Sequence, residues 1–321
     1  MNDPFYFPVT GINTVGTGEI LGICSAAKAL SPGQYGQYPL YAFTTEGIWA
    51  MGVSSTGTYS DIKTVTEDVC NNPKSITQID TSVLFTTDRG IMVISGSETA
   101  CLSDEINGSG YFEVTNLPLF SSLLDAYNQL AGEGNEIQAE NVTLNNFNDY
   151  LKDCQMVYDY TNQRIYVYND QESYAYVYSL KTKTWGMVKS NIVSHVRAYP
   201  EALVMLSNNV LADLSASDQE KNTVLIVTRP MKFGAPDVLK TLDTVIQRGM
   251  LKPGSISQVL YASRDLFNWY PIYSAKGSAM RLFRGTPYKY FRLSIVGEWG
   301  RDECLYGLTA QFTPRFTNRP R

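Results

Sequence analysis

Histidine is close to absent from this chain: His195 is the one copy in 321 residues. The side chain best suited to acid–base work near neutral pH is therefore nearly missing. His195 lies in the strand-like run Ile192-Val193-Ser194-His195-Val196-Arg197, and no G-x-S-x-G elbow or comparable nucleophile accompanies it. The five cysteines, Cys24, Cys70, Cys101, Cys154 and Cys304, are odd in number, widely spaced and without a CxxC pair. That spacing speaks against a disulfide framework and a zinc site and fits a reduced compartment. No apolar stretch approaches the roughly 20 residues of a membrane span. The opening Met1–Gly11 lacks the basic and apolar regions of a signal peptide, so synthesis in the cytoplasm without cleaved export is expected. Neither G-x-x-x-x-G-K-[ST] nor G-x-G-x-x-G occurs to cradle a phosphate. The sequence predicts no catalytic residue, no cofactor and no metal.

What the chain has is aromatic and turn-forming material: 22 Tyr, 13 Phe, 24 Gly and 14 Pro, in a composition that is 44% hydrophobic. This is enough apolar matter for a core, and it favours sheets. Up to about residue 215, short runs of β-branched and aromatic residues alternate with Gly, Asn, Asp and Ser turns. They fall into groups of about four: Glu19–Cys24, Pro39–Thr45, Ile48–Val53 and Tyr59–Thr64, then Ile76–Ile79, Val83–Thr87, Ile91–Ile94 and Thr99–Leu102. A third group is Met156–Tyr160, Arg164–Tyr168, Tyr174–Tyr178 and Thr184–Met187, and a weaker fourth runs from Ile192 to Leu214. The step Phe43-Thr44-Thr45-Glu46 is echoed at Phe85-Thr86-Thr87-Asp88, a spacing within the roughly 40–50 residues of a propeller blade. The expected fold is all-β, a propeller-like array of four-stranded blades over residues 1–220.

Leu119, Phe120, Leu123, Leu124, Tyr127 and Leu130 recur at helical spacing before Gly132, which predicts a helical insertion at about 117–131 that caps the propeller core. A partner-binding helix is the other reading of that stripe. Beyond a boundary between about 215 and 235, strands at Thr223–Thr228, Thr241–Met250, Ser257–Ala262, Trp269–Ser274, Tyr290–Ile295 and Leu305–Phe312 predict a β-sandwich over 221–321. Asp3-Pro4-Phe5-Tyr6-Phe7-Pro8 reads like the interior of a structured region, as in the C-terminal part of something longer.

The net charge of −5 conceals a division. Residues 222–321 carry 15 Lys/Arg against 6 Asp/Glu, whereas residues 1–221 carry 11 against 25. An acidic body with a basic end predicts docking of unlike surfaces on each other or of the basic part on an anionic partner.

Four carboxylates, Glu46, Asp88, Asp159 and Asp170, are the candidates for paired glycosidase chemistry. Their turn positions favour side-chain hydrogen bonding in turns instead. Ser263-Arg264-Asp265-Leu266-Phe267-Asn268-Trp269 is similar to the sialidase Asp box, S-x-D-x-G-x-x-W, with Phe267 in place of its glycine and Trp269 one residue early. Such a hairpin uses Asp to secure the turn and Trp to pack beneath it. Tyr261 and Trp269 are the candidate glycan contacts, with core packing as the other use of these rings. The stretch Arg281–Arg292 interleaves basic and aromatic residues; Arg281, Arg284, Lys289 and Arg292 are the candidate subunit-docking cations, with nucleic-acid recognition or plain surface as the alternatives.

Tyr38-Pro39-Leu40-Tyr41-Ala42-Phe43-Thr44-Thr45-Glu46-Gly47-Ile48-Trp49, Thr228-Arg229-Pro230-Met231-Lys232-Phe233-Gly234, Leu260-Tyr261-Ala262-Ser263-Arg264-Asp265 and Phe312-Thr313-Pro314-Arg315-Phe316-Thr317-Asn318 carry a family resemblance. They resemble the C-terminal portion of structural proteins of gut Bacteroides phages and prophages. Those are similar to tail nozzle or muzzle proteins of short-tailed phages, in which a propeller-like domain forms part of a ring. The resemblance implies a non-enzymatic virion tail component. Its partners would be its own copies and other tail proteins, DNA would pass without specific binding, and no membrane would be entered. A glycan-binding adhesin is the alternative, and a propeller glycosidase the third.

Overall fold

The computed structural model describes residues 13–28, 30, 38–53, 59–107, 116–132, 136, 147–197, 201–216, 221–235, 237–252, 256–277, 279–281, 285–300 and 302–316. Arg284 and the segment 3–8 lie outside them. The protein is all-β, with two helices among the described residues, α1 (Phe120–Ala131) and α2 (Phe147–Leu151). It divides into two compact units, residues 1–109 with 146–216 and residues 110–145 with 217–321.

The first unit is a succession of antiparallel meanders. Strands β1 (Ile20–Ser25), β2 (Leu40–Thr44), β3 (Gly47–Val53) and β4 (Tyr59–Thr66) pair in chain order. So do β5 (Thr77–Ile79), β6 (Ser82–Thr87), β7 (Gly90–Ser95) and β8 (Glu98–Cys101). The third sheet contains β9 (Gln155–Asp159), β10 (Arg164–Tyr168), β11 (Tyr174–Ser179) and β12 (Thr184–Lys189), and the fourth β13 (Ile192–Arg197), β14 (Ala202–Leu206) and β15 (Leu211–Asp213). Each strand group read from the sequence forms one sheet, because period-two alternation gives each strand an apolar face that must be covered.

The echo at Phe43 and Phe85 differs from a simple repeat. Thr44 and Gly47 close the first hairpin, so Phe43 sits one pair inside the turn, opposite Ile48. Thr87 and Gly90 close the second, which puts Phe85 two pairs inside, opposite Met92. A one-residue shift flips a side chain to the other face of its sheet. The two rings thereby meet edge-on, with centroids 5.3 Å apart, in a core shared by the first two sheets. At Gly47, φ is +135° and an added Cβ would lie 2.6 Å from the Thr66 carbonyl oxygen, so only glycine fits the turn.

Polar bonds join sheets distant in sequence. Buried Asn72 donates through Nδ2 to the carbonyls of Leu151 (3.1 Å) and Cys154 (2.6 Å), while its Oδ1 accepts the Lys74 N–H. Tyr41 is fully buried and donates to the Gly96 carbonyl at 2.7 Å. The short α2 presses Phe147 and Tyr150 edge-on against Tyr176. The third and fourth sheets share Tyr166, Tyr168, Ile192 and Val204 in one cluster.

In the second unit, β16 (Lys221–Val227), β21 (Tyr290–Gly300), β18 (Ile256–Ser263) and β19 (Tyr270–Lys276) form one sheet in that spatial order, and β20 (Ala279–Arg281), β17 (Leu239–Met250) and β22 (Cys304–Arg315) form another. The sheets face each other through Leu242, Val245, Met280, Leu260, Phe291 and Leu293. The reverse face of the four-stranded sheet is covered by α1, whose Phe120, Leu123 and Leu124 meet Val259, Tyr261 and Val296. This corrects the expectation that the 117–131 helix belongs to the propeller-like domain and caps its core. Its apolar stripe satisfies a sheet face that would otherwise be exposed, and β21 is accordingly buried on both sides from Phe291 to Gly297.

Candidate functional site

Of the sequence-predicted site residues of the second unit, Trp269 and Arg292 lie at the turn between β18 and β19. Ser263 is buried; its Oγ accepts the Leu266 N–H at 3.0 Å and donates to Asp265 Oδ1 at 3.1 Å. Asp265 Oδ1 also accepts the N–H groups of Asn268 (2.8 Å) and Phe267 (3.0 Å), and Oδ2 accepts Asn268 Nδ2 at 2.7 Å. The backbone and side-chain donors of Asn268 hold the Asp265 carboxyl down to about 2. Leu266 takes a left-handed φ of 70°, and its carbonyl accepts the Trp269 indole N–H at 2.9 Å. The turn works as the Asp-box comparison implies, with Asp in the loop and Trp beneath it.

Two cations lie on rings at its base. Arg292 lies over Trp269, 5.5 Å from the ring centre, and donates through Nε to the Thr228 carbonyl at 3.0 Å. Arg264 lies over Tyr288 at 5.7 Å and donates through Nε to the Pro287 carbonyl. The Tyr288 ring in turn flanks Tyr270, which is exposed. At the tip, Phe267 is 90% exposed.

Several assignments change here. Tyr261 is fully buried beneath α1 and cannot contact a glycan, and Trp269 is half-buried between the Leu266 carbonyl and Arg292. Arg292 is only 3% exposed, and burial pulls its guanidinium below the ordinary range; it packs the interior rather than a neighbouring subunit. Arg281 ends β20 in the other sheet, exposed and paired across from Thr244. Lys289 is half-buried, with its backbone N–H bonded to the Ser263 carbonyl. Arg281 and Arg292 therefore belong to different sheets, one exposed and the other buried. Sequence reasoning passed over Arg264 and Phe267. The available signal was the large ring standing where the Asp-box pattern has glycine, at the tip of the turn.

The four carboxylates of the first unit each serve a local bond. Glu46 accepts from Thr17 N–H and hydroxyl, which lowers its pKa, and Asp88 accepts from Asn71 Nδ2. Asp159 accepts from Asn162, and Asp170 from Gln171 Nε2. His195 Nδ1 shares a hydrogen bond with the Tyr168 hydroxyl at 2.9 Å. Among the described residues, no three His, Cys, Asp or Glu side chains gather as a metal set, and no helix is long and apolar enough to cross a membrane. A rigid turn presenting a ring and an open guanidinium is equipped to bind a surface. Comparison with protein-family models and with curated proteins finds no match.

Proposed function

We propose that the chain is a non-enzymatic structural protein of a phage virion, a component of the tail nozzle that assembles with its own copies and with other tail proteins. In this reading, residues 19–109 and 146–214 form a propeller-like array of blades that contributes to the conduit wall, and residues 221–321, with α1 packed on them, form a basic sandwich that docks on neighbouring subunits. The observation that carries it is the charge division, 25 acidic against 11 basic residues up to Lys221 and 15 basic against 6 acidic after it. DNA is held by Lys and Arg neutralising its phosphates, so an acidic wall lets it pass without gripping it. The run of successive meander sheets, with cores shared between the first and second and between the third and fourth, supports the array.

Light scattering of the purified chain across a salt series tests this. The expected result is a discrete oligomer that dissociates as salt rises, since unlike surfaces attract less once screened. A monomer at every salt concentration refutes it.

A further inference from the structure

Two apolar features, one in each unit, are exposed among the described residues. In the second unit, Phe267 stands at the tip of a turn fixed by Ser263 and Asp265. Three residues before it, the Arg264 guanidinium is held over Tyr288 and donates through Nε to the Pro287 carbonyl. In the first unit, the fourth sheet turns Val204 and Ala202 inward to the core it shares with the third. The opposite face carries Val196, Met205 and Leu211, all exposed; Met205 pairs directly with Leu211. An apolar sheet face at the end of a succession of sheets is an interaction surface in waiting.

We infer that these features meet between copies: the Phe267 tip of one chain seats on the Val196–Met205–Leu211 face of the next, with Arg264 pairing to a carboxylate at its rim. The inference rests on the assembly proposed above and names its contact. The occupant is a second copy because the charges match. The unit that carries the tip has 16 Lys/Arg against 13 Asp/Glu and the unit that carries the receiving face 10 against 18, with Glu201 exposed immediately before β14. The turn's hydrogen bonds fix the backbone that carries Phe267 before contact, so the ordering cost on binding falls mainly on the side chain. A tip-to-face contact joins different surfaces on the two copies, and such head-to-tail contacts build closed rings when the rotation closes.

The test compares self-association of the full chain with that of Phe267→Ala, Arg264→Ala and the double variant Val196→Thr/Leu211→Thr, by sedimentation velocity. All these residues are exposed or partly so, and unchanged melting curves check that the variants fold. Phe267→Ala and the Thr pair are each expected to weaken assembly about thirty-fold or more, as for a central anchor. Arg264→Ala is expected to weaken it less and to flatten its salt dependence. Mixing Phe267→Ala with the Thr-pair variant should restore a dimer and no larger species, because each brings one intact half of the contact. An oligomeric wild type unaffected by these changes overturns this contact while leaving the proposed function standing. A wild type that stays monomeric overturns both. A monomer that binds an acidic oligosaccharide through Phe267 replaces the second copy with a glycan.

Discussion

Replacing Asn72 tests whether a polar bond between residues far apart in sequence holds the first unit together. Asn72→Ala removes both Nδ2 bonds and the Oδ1 bond to Lys74 N–H. The Leu151 carbonyl keeps a second donor, the Cys154 N–H at 3.4 Å. The main loss is thus the Cys154 carbonyl, a buried acceptor left unpaired at about 1–3 kcal/mol. Losing the side-chain cap of the turn at Pro73–Ser75 adds about 1 kcal/mol. The sum is about 2–4 kcal/mol, or roughly a thirty- to several-hundred-fold fall in hydrogen-exchange protection of the β6 and β9 peptides. Asn72→Asp sharpens the test. It keeps the acceptor for Lys74 but faces two carbonyls with a carboxylate, so at neutral pH it should destabilise more than Ala. Burial against acceptors raises that carboxyl's pKa, and its deficit should shrink as the pH falls and the protonated form donates. A loss of protection below about threefold, or an Asp variant milder than Ala at neutral pH, would refute the reasoning.

Three further outcomes are expected. Asp265 should titrate in the folded protein at about 2 rather than 3.8, so its turn is stabilised above pH 3.8 and loosens as the pH falls from there through about 2; carboxyl NMR shifts measure this. Burial pushes the Tyr41 phenol up to about 12 from 10.0 and raises those of Tyr168 and Tyr176 as well. The folded state keeps these protons, so stability is full below pH 10 and falls above it, and ultraviolet titration should show these tyrosines ionising together with unfolding. Gly47→Ala should cost roughly 1–3 kcal/mol from backbone conformation alone, with the approach to Thr66 oxygen adding to it; urea unfolding reads the change.

The strands were legible because alternation is a local signal: Ile165-Tyr166-Val167-Tyr168 and Tyr174-Ala175-Tyr176-Val177-Tyr178 pair in register as written. The elements that escaped are short. Five residues of α2 and three of β20 span too little chain to show a period. Tyr261, for which core packing is the other use, and Arg292 are a different case. Their burial depends on α1, which arrives from far earlier in the sequence, and on Trp269, which folds beneath its own turn. Local pattern identifies the two faces of a strand but not what covers each. Nor does the sequence show that β20 and β21, adjacent along the chain, belong to different sheets, which separates exposed Arg281 from buried Arg292.

The placement of α1 has a consequence for biosynthesis. The ribosome releases this helix, with Phe120, Leu123 and Leu124 on one side, long before it makes β18 and β21, which those residues cover. Neither unit is continuous, since the chain leaves the first at about residue 110 and returns at 146. Domain-by-domain folding during translation is therefore unavailable to the second unit until its last strands emerge. Over that interval the apolar stripe of α1 remains without its sheet, which marks the half-made chain as the stage most exposed to aggregation and to capture by chaperones.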